Sequence, residues 1–383
     1  MIIKTKIISI NDELKCARTL EVSVKSKVTI TPRRVLSASR SKYNDETMLW
    51  NRSIRGFVEI YRRISHEILF KVMSEEPYIQ RFNYEVSSML KRAENDIIIG
   101  IVEYNSEGKM PGKGEIECLF HLFNNPLLDI IVPPIVPKLP CEDYIKFLDE
   151  FIDIFQTCSF HAILAPVIPH YSVIDVSRLF EYYAKKDEVS KNFVCADFNG
   201  GNAISQYTFV SKIVRESQKF EREFGEPCLR YAINLKYGKA TKKQYVVPAK
   251  DIIIFAMGFD LFGANHKLIP RLDYVGDYDL ATKIFNRVDY GYYSLEMAGN
   301  AVSDIGDYEV KLADVLEKKI SAKVFNAERH GLESLEISKS INEQRLSKYI
   351  KSKSKVTEDE KTLRKIFKVN EEAYKGNLLK YIH

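Results

Sequence analysis

From residue 126 onward the chain alternates short apolar runs with stretches of helical periodicity. LLDIIVPPIV leads into CEDYIKFLDEFIDIFQTC, FHAILAPVI into SVIDVSRLFEYYAKK, NFVCADF into QYTFVSKIVRESQKFEREFG, and CLRYAINL and DIIIFAMGF into DLATKIFNRVD. The apolar runs are continuous rather than alternating, so they read as strands covered on both faces. Strand-helix units in series then place them in a parallel sheet under helices, an α/β class. No GxGxxG or GxxxxGK[ST] follows a strand, which removes the usual cue for an open nucleotide-binding sheet. Polar residues instead gather just past the apolar runs: His170, Asp197, Asn199, Asn234, Lys236 and Asp289. In a (β/α)8 TIM-like barrel such positions share one rim. The expectation is therefore a barrel over residues 126–315.

The flanks differ in pattern. Residues 1–125 read as an N-terminal α+β region, with alternation in LEVSVKSKVTI, amphipathic helix through IRGFVEIYRRISHEILFKVM and YEVSSMLKRAEN, and a strand in DIIIGIVEY. Residues 316–383 carry helical patterns without a strand signal and are expected to form a basic helical extension outside the barrel.

Composition narrows the class. Hydrophobic residues make up 45% of the 383 and aromatics 11%, which favours a globular chain of one large or two domains over disorder. Six cysteines with no CxxC pair indicate neither a zinc site nor a disulfide framework, and reduced intracellular thiols are the natural reading. The start MIIKTKIISINDELK is too charged for a signal sequence, and no apolar run approaches the roughly 20 residues of a membrane span. A cytoplasmic protein without a membrane partner is expected. Fifty-seven basic against 52 acidic residues leave +5, so distribution matters more than the sum. Cations concentrate in TPRRVLSASRSKYN and in the C-terminal tail, making Arg33, Arg34, Arg40, Lys348, Lys351 and Lys353 candidate phosphate contacts. A solvated helix face would give the same counts.

Two carboxylates at strand ends could divide labour, one attacking an electrophilic carbon and the other donating or accepting a proton. Asp197 and Asp289 are placed for this, although an Asp after a strand is also a common turn former. ADFNGGNA adds Asn199, Gly200, Gly201 and Asn202, glycines for close backbone approach and amides for a heterocycle edge. His266, in FGANHK, has no HxH or HxxxH partner, so it reads as a positioned polar residue and neither metal nor cofactor is expected. Tyr290, Tyr292 and Tyr293 are packing residues or faces for base stacking.

FGANHK is similar to the FGAGHP segment of archaeal tRNA-guanine transglycosylases, and VDYGYYSLEMAGN looks like the FDSASYALYA stretch that follows there, with Asp289, Tyr293 and Leu295 in matching order. VCADFNGGNA resembles the strand end of that family whose Asp reads the base edge, here Asp197. The resemblance covers residues 190–300 and crosses a longer spacer, KLIPRLDYVGDYDL. It implies a modified (β/α)8 barrel in which Asp289 attacks C1′ of a guanosine and guanine is exchanged for a 7-deazaguanine base. Asp197, Asn199, Gly200, Gly201, Asn202, His266 and Tyr293 would hold the base. The substrate polymer would be tRNA or DNA, and the protein a homodimer or one of two subunits. The family's DSGxFQ segment and its zinc-binding C-x-C-x2-C…H pattern have no counterpart; IDVSRLF, with Asp175, is the nearest to the former. Two rivals remain: a nucleic-acid-binding paralogue without turnover, and an unrelated barrel enzyme for a small molecule.

Overall fold

In the computed structural model, which describes residues 2–158, 161–238, 245–267, 282–303 and 306–378, the chain begins with an antiparallel meander. It consists of β1 (Ile3–Ile10), β2 (Arg18–Val24) and β3 (Lys27–Ile30). Alternation is the cause: Leu20, Val22 and Val24 of β2 are buried while Glu21 between them is exposed.

Parallel strands follow: β4 (Arg33–Arg34), β5 (Leu36–Ser37), β6 (Phe57–Ser65), β7 (Ile97–Asn105), β8 (Ile130–Ile131), β9 (Ile163–Leu164), β10 (Val167–Ile168), β11 (Phe193–Asp197) and β12 (Leu229–Ile233). After β13 (Val246–Pro248) comes one more parallel strand, β14 (Leu261–Phe262), and then β15 (Lys283–Asn286) and β16 (Gly291–Ser294). One sheet has the order β5-β6-β7-β8-β9 and a second the order β10-β11-β12-β14-β4, with every pair parallel. Helices α1 (His66–Ser74), α2 (Glu76–Arg92), α3 (Lys113–His121), α4 (Cys141–Thr157), α5 (Val173–Ala184) and α6 (Tyr207–Phe224) alternate with the strands. This is the α/β class with parallel sheets that the apolar runs predict. β7 shows why: residues 97–104 are buried throughout, and a Cβ on Gly100 would come within 2.9 Å of the Phe123 ring. Among the described residues no helix is long and apolar enough to cross a membrane.

Several elements differ from expectation. The boundary at residue 125 runs through a sheet, because β7 pairs with β8 across it. The helix expected over IRGFVEIYRRISHEILFKVM is a strand up to Ser65 and a helix only from His66, where the Ser65 hydroxyl caps the Ile68 amide. A strand buried on both faces satisfies helical spacing by accident. DIIIFAMGF is a buried 3-10 helix over Ile252–Met257, ended by Gly258 at φ 97°, and the strand comes afterwards as β14. KIF belongs to an antiparallel hairpin, β15-β16, which pairs with β13, so Asp289 does not follow a parallel strand. The expected outlying extension instead contributes the helix Ala322–Asn342, which packs against β2, β4 and β15. The spacer KLIPRLDYVGDYDL lies outside the described residues from Leu268 onward.

Candidate active site

Period-2 geometry puts Glu59, Tyr61 and Arg63 of β6 on one face of that strand. Glu103 of β7, Asp197 at the end of β11, Tyr231 of β12 and Asn234 just after it, and His266 and Lys267 after β14 all meet that face or its upper end. Glu59 is buried and accepts from the Ala264 amide at 2.9 Å, from the Tyr231 hydroxyl and from His266 Nε2 at 2.8 Å. The His266 ring lies flat on Tyr61, centroids 4.0 Å apart and planes 5° from parallel. Tyr61 in turn donates to Glu103, whose carboxylate also receives Lys267 Nζ at 2.7 Å and Arg63 Nε at 3.2 Å.

Asn234 joins the two halves. At φ 55° it directs Nδ2 to Asp197 Oδ1 at 2.8 Å and to the Tyr61 hydroxyl at 3.1 Å, while its Oδ1 accepts the His266 amide at 3.0 Å. Asp197 Oδ1 also accepts the Asn199 amide at 2.9 Å, and Oδ2 has the Lys267 ammonium 3.7 Å away, beyond direct hydrogen bonding. Glycine is required in FGANHK because a Cβ on Gly263 would sit 2.4 Å from the Tyr231 hydroxyl oxygen and 2.5 Å from Glu59 Oε2.

Electrostatics divide the two acids. Burial pushes the Asp197 carboxyl above its ordinary value, and Lys267, Asn234 and the Asn199 amide offset this only in part. Burial would also raise Glu59, but His266, Arg34 and the Tyr231 hydroxyl outweigh it and hold Glu59 below the usual carboxylate range. Burial, then the negative charges of Asp197 and Glu103, push the Tyr61 phenol far up. The arrangement therefore offers a buried acid with an oxygen to spare, a carboxylate-oriented imidazole and a cation-flanked carboxylate, the parts of acid–base or carboxylate-transfer chemistry.

A cavity of about 480 Å³ opens beside this cluster, with Tyr61 and His266 as one wall and Ser37, Ser39, Asn44 and Lys323 among its polar lining. No protein-family model matches the sequence, and no characterised protein matches it. Among the described residues no group of three or more His, Cys, Asp or Glu side chains is arranged to hold a metal ion.

Of the expected site residues, Asp197, Asn199 and His266 come together here. Gly200 lies against Lys267, 3.5 Å from Cβ to Cβ if a methyl were added. Asn199 and Gly200 adopt φ 47° and 77°, while Gly201 donates to the Phe198 carbonyl and Asn202 caps the Ser205 amide at 2.8 Å. These bonds shape the loop. Asp289 and Tyr293 lie in the β15-β16 hairpin instead, where the Asp289 carboxylate accepts the Gly291 amide at 2.8 Å and the Tyr293 hydroxyl. That hairpin is tied to the helix Ala322–Asn342 through Tyr290–Glu333 at 2.7 Å and Tyr292–His330 at 2.7 Å. Two expected phosphate contacts are buried. Arg34 forks onto both Glu46 oxygens at 3.1 Å, and Lys353 donates to the Arg287 carbonyl at 2.8 Å above the rings of Tyr290 and Tyr349. Arg33 is half-buried with Nε on the Ile30 carbonyl, whereas Arg40, Lys348 and Lys351 are exposed.

Sequence reasoning missed Glu59, Tyr61, Glu103 and Lys267. The signal for the first three was present: charged and hydroxylated residues inside strongly apolar strands, FVEIY and GIVEY, are costly unless partnered.

Proposed function

We propose that the protein is a (β/α)8 barrel enzyme that exchanges guanine in a nucleic acid for a 7-deazaguanine base, with Asp197 reading the base. Support for the barrel comes from the neighbour order. β4 and β5, separated by Val35 alone, pair with β14 on one side and β6 on the other; β9 and β10, separated by Ala165 and Pro166, pair with β8 and β11. With each split pair taken as one strand, ten strands become eight and their order closes on itself. Side chains from β6 meeting those of β12 and of the turn after β14 fit the interior of such a ring.

The observation that carries the reading is Asp197: a buried carboxyl, Oδ1 held by two N–H groups and Oδ2 without a direct donor, beside a glycine-bearing loop and His266. Such a carboxyl accepts the paired N–H groups on a guanine edge once the base is flipped from its stack. In the transfer, a carboxylate oxygen bonds C1′ as the C1′–N9 bond breaks, guanine leaves with a proton, and the incoming base reverses the step. The resemblance assigns the nucleophile to Asp289; the cluster itself presents Glu103, whose carboxylate is flanked by Lys267 and Arg63.

The test is incubation with labelled guanine or 7-deazaguanine and a panel of tRNA and DNA, comparing wild type with Asp197→Asn, Asp289→Asn and Glu103→Gln. Label should enter polymer with wild type and fall by several orders of magnitude in the nucleophile variant, which also loses a denaturation-resistant adduct. Loss in Asp289→Asn alone assigns that residue, loss in Glu103→Gln alone assigns the cluster, and no transfer to any polymer ends the base-exchange reading. A second reading, a nucleic-acid-binding subunit without turnover, is favoured by the engagement of the Asp289 carboxylate within its own hairpin.

A further inference from the structure

The loop after β5 and the exposed side of α2 enclose a second hollow, of about 430 Å³, lined by Arg40, Arg81, Tyr84, Glu85, Ser88 and Arg92. It shares Arg40 and Met89 with the 480 Å³ cavity, so the two adjoin. Three guanidinium groups converge on one carboxylate there. Arg40 NH1 lies 2.6 Å and Arg81 Nε 3.1 Å from Glu85 Oε1, and Arg62 NH2 lies 3.0 Å from Oε2. A fourth, Arg92, pairs with Asp45 at 2.9 Å and donates to the Ser39 carbonyl and the Ser88 hydroxyl. Four arginines against Glu85 and Asp45 leave two positive charges in excess, and the side chains of Arg40 and Arg81 remain 61% and 68% exposed. Tyr84, three residues after Arg81 on the same helix face, is 76% exposed.

An ion network serving only to fix α2 would need one cation per carboxylate; the surplus is what a phosphate backbone neutralises. Guanidinium forks match phosphate oxygens, and an exposed tyrosine ring beside them offers a face to any base. The adjoining cavity falls within the range of about 300–1,000 Å³ that holds small ligands, and its Tyr61–His266 wall is itself a flat stacked surface.

We propose that this hollow is the approach for one strand of a nucleic acid. Its phosphates lie over Arg40, Arg81 and Arg92, one base stacks on Tyr84, and the next nucleotide enters the cavity beside His266. What happens in the cavity rests on the base-exchange reading; the strand site does not. It also places the polymer on α2 and not on the C-terminal lysines.

Fluorescence anisotropy tests this with the full chain and a short labelled single-stranded RNA, the DNA of the same sequence, and an abasic version, each titrated over a range of salt. Arg40→Gln/Arg81→Gln should weaken all three and lower the slope of log affinity against log salt by about 1.4, two charges at roughly 0.7 each. Tyr84→Ala should cost about tenfold on the base-bearing strands and leave the abasic one unchanged. Glu85→Gln should tighten binding, a gain that misfolding cannot mimic, and Lys348→Gln/Lys351→Gln should change nothing. The proposal is overturned by an unchanged slope in the arginine double variant, by an equal loss in the lysine variant, or by a wild type that binds none of the strands. Binding with the arginine signature but no base transfer would end the base-exchange reading and keep the strand site. Base transfer untouched in the double variant would do the reverse.

Discussion

Asp197 and Glu59 are both buried carboxyls, yet burial prevails at one and is overcome at the other. Their stability linkage should therefore have opposite signs. Burial disfavours the Asp197 carboxylate, a cost fully present above its raised folded value and relieved as pH falls through that value toward the ordinary carboxylate range. Asp197→Asn keeps an oxygen for the Asn199 and Asn234 donors and removes the buried charge. Its melting temperature should equal or exceed that of the wild type at neutral pH, with the difference shrinking on acidification. Glu59 contributes stability above its unfolded value, and the contribution disappears as pH falls through its lower folded value. Glu59→Gln should cost on the order of 3 kcal/mol at neutral pH, because the His266 ring, the Tyr231 hydroxyl and the Ala264 amide lose a buried carboxylate, and less in acid. Thermal melts of the three proteins over a pH series check both signs, and parallel curves for the two variants would contradict the assignment.

At the scale of elements, the helix Ala322–Asn342 lacks a clean apolar stripe because it is buried nearly all round. Glu328 and Arg329 are inside, with Glu328 accepting the Glu309 and Val310 amides at 2.7 and 3.1 Å and Arg329 lying over the rings of Tyr308 and Phe325. Gly331 is what lets this helix approach its neighbour: a Cβ there would fall 2.7 Å from Ile54 Cβ. Alanine at 331 gains about 1 kcal/mol of helix propensity and costs about 1–3 kcal/mol in overpacking against a contact near the backbone. A net loss of up to about 2 kcal/mol is expected in denaturant titrations. Gly299, in the helix Leu295–Ala301, has open space within 4 Å, so Gly299→Ala should stabilise by about 0.5–1 kcal/mol. Equal effects at the two positions would refute the packing argument.

Across the whole molecule, the two ends of the chain are locked together. The Asn370 amide group bridges the Cys16 N–H at 2.8 Å and the Ala256 carbonyl at 2.9 Å, and the helix Glu360–Leu378 packs on α6 and on the 3-10 helix at 252–257. Truncation at residue 352 would uncover a surface that now meets Val356, Ile366, Val369 and Ala373, all buried. At about 1.5–3 kcal/mol for each large aliphatic side chain, that loss is comparable with the stability of an entire domain. The truncated protein should lose its cooperative melt and elute as aggregate in size-exclusion chromatography. A tail that was only a phosphate-binding appendage would leave the melt unchanged.

Local periodicity and strand-end polarity were enough to determine the α/β class, the helices α2, α4, α5 and α6, the strands β7, β11 and β12, and the placement of Asp197 and His266 among polar groups. Those features depend on residues a few positions apart. The rest depends on long-range pairing. Glu59 and His266 are separated by 207 residues, and Tyr61 and Asn234 by 173, so no window of sequence shows that they touch. Local pattern is equally silent on whether KIF joins a parallel sheet or a hairpin, since three apolar residues fit either. Arg34 and Lys353 look like free cations in the chain, and only the tertiary structure decides that they are inside, because burying a charge depends on a carboxylate or carbonyl arriving from elsewhere.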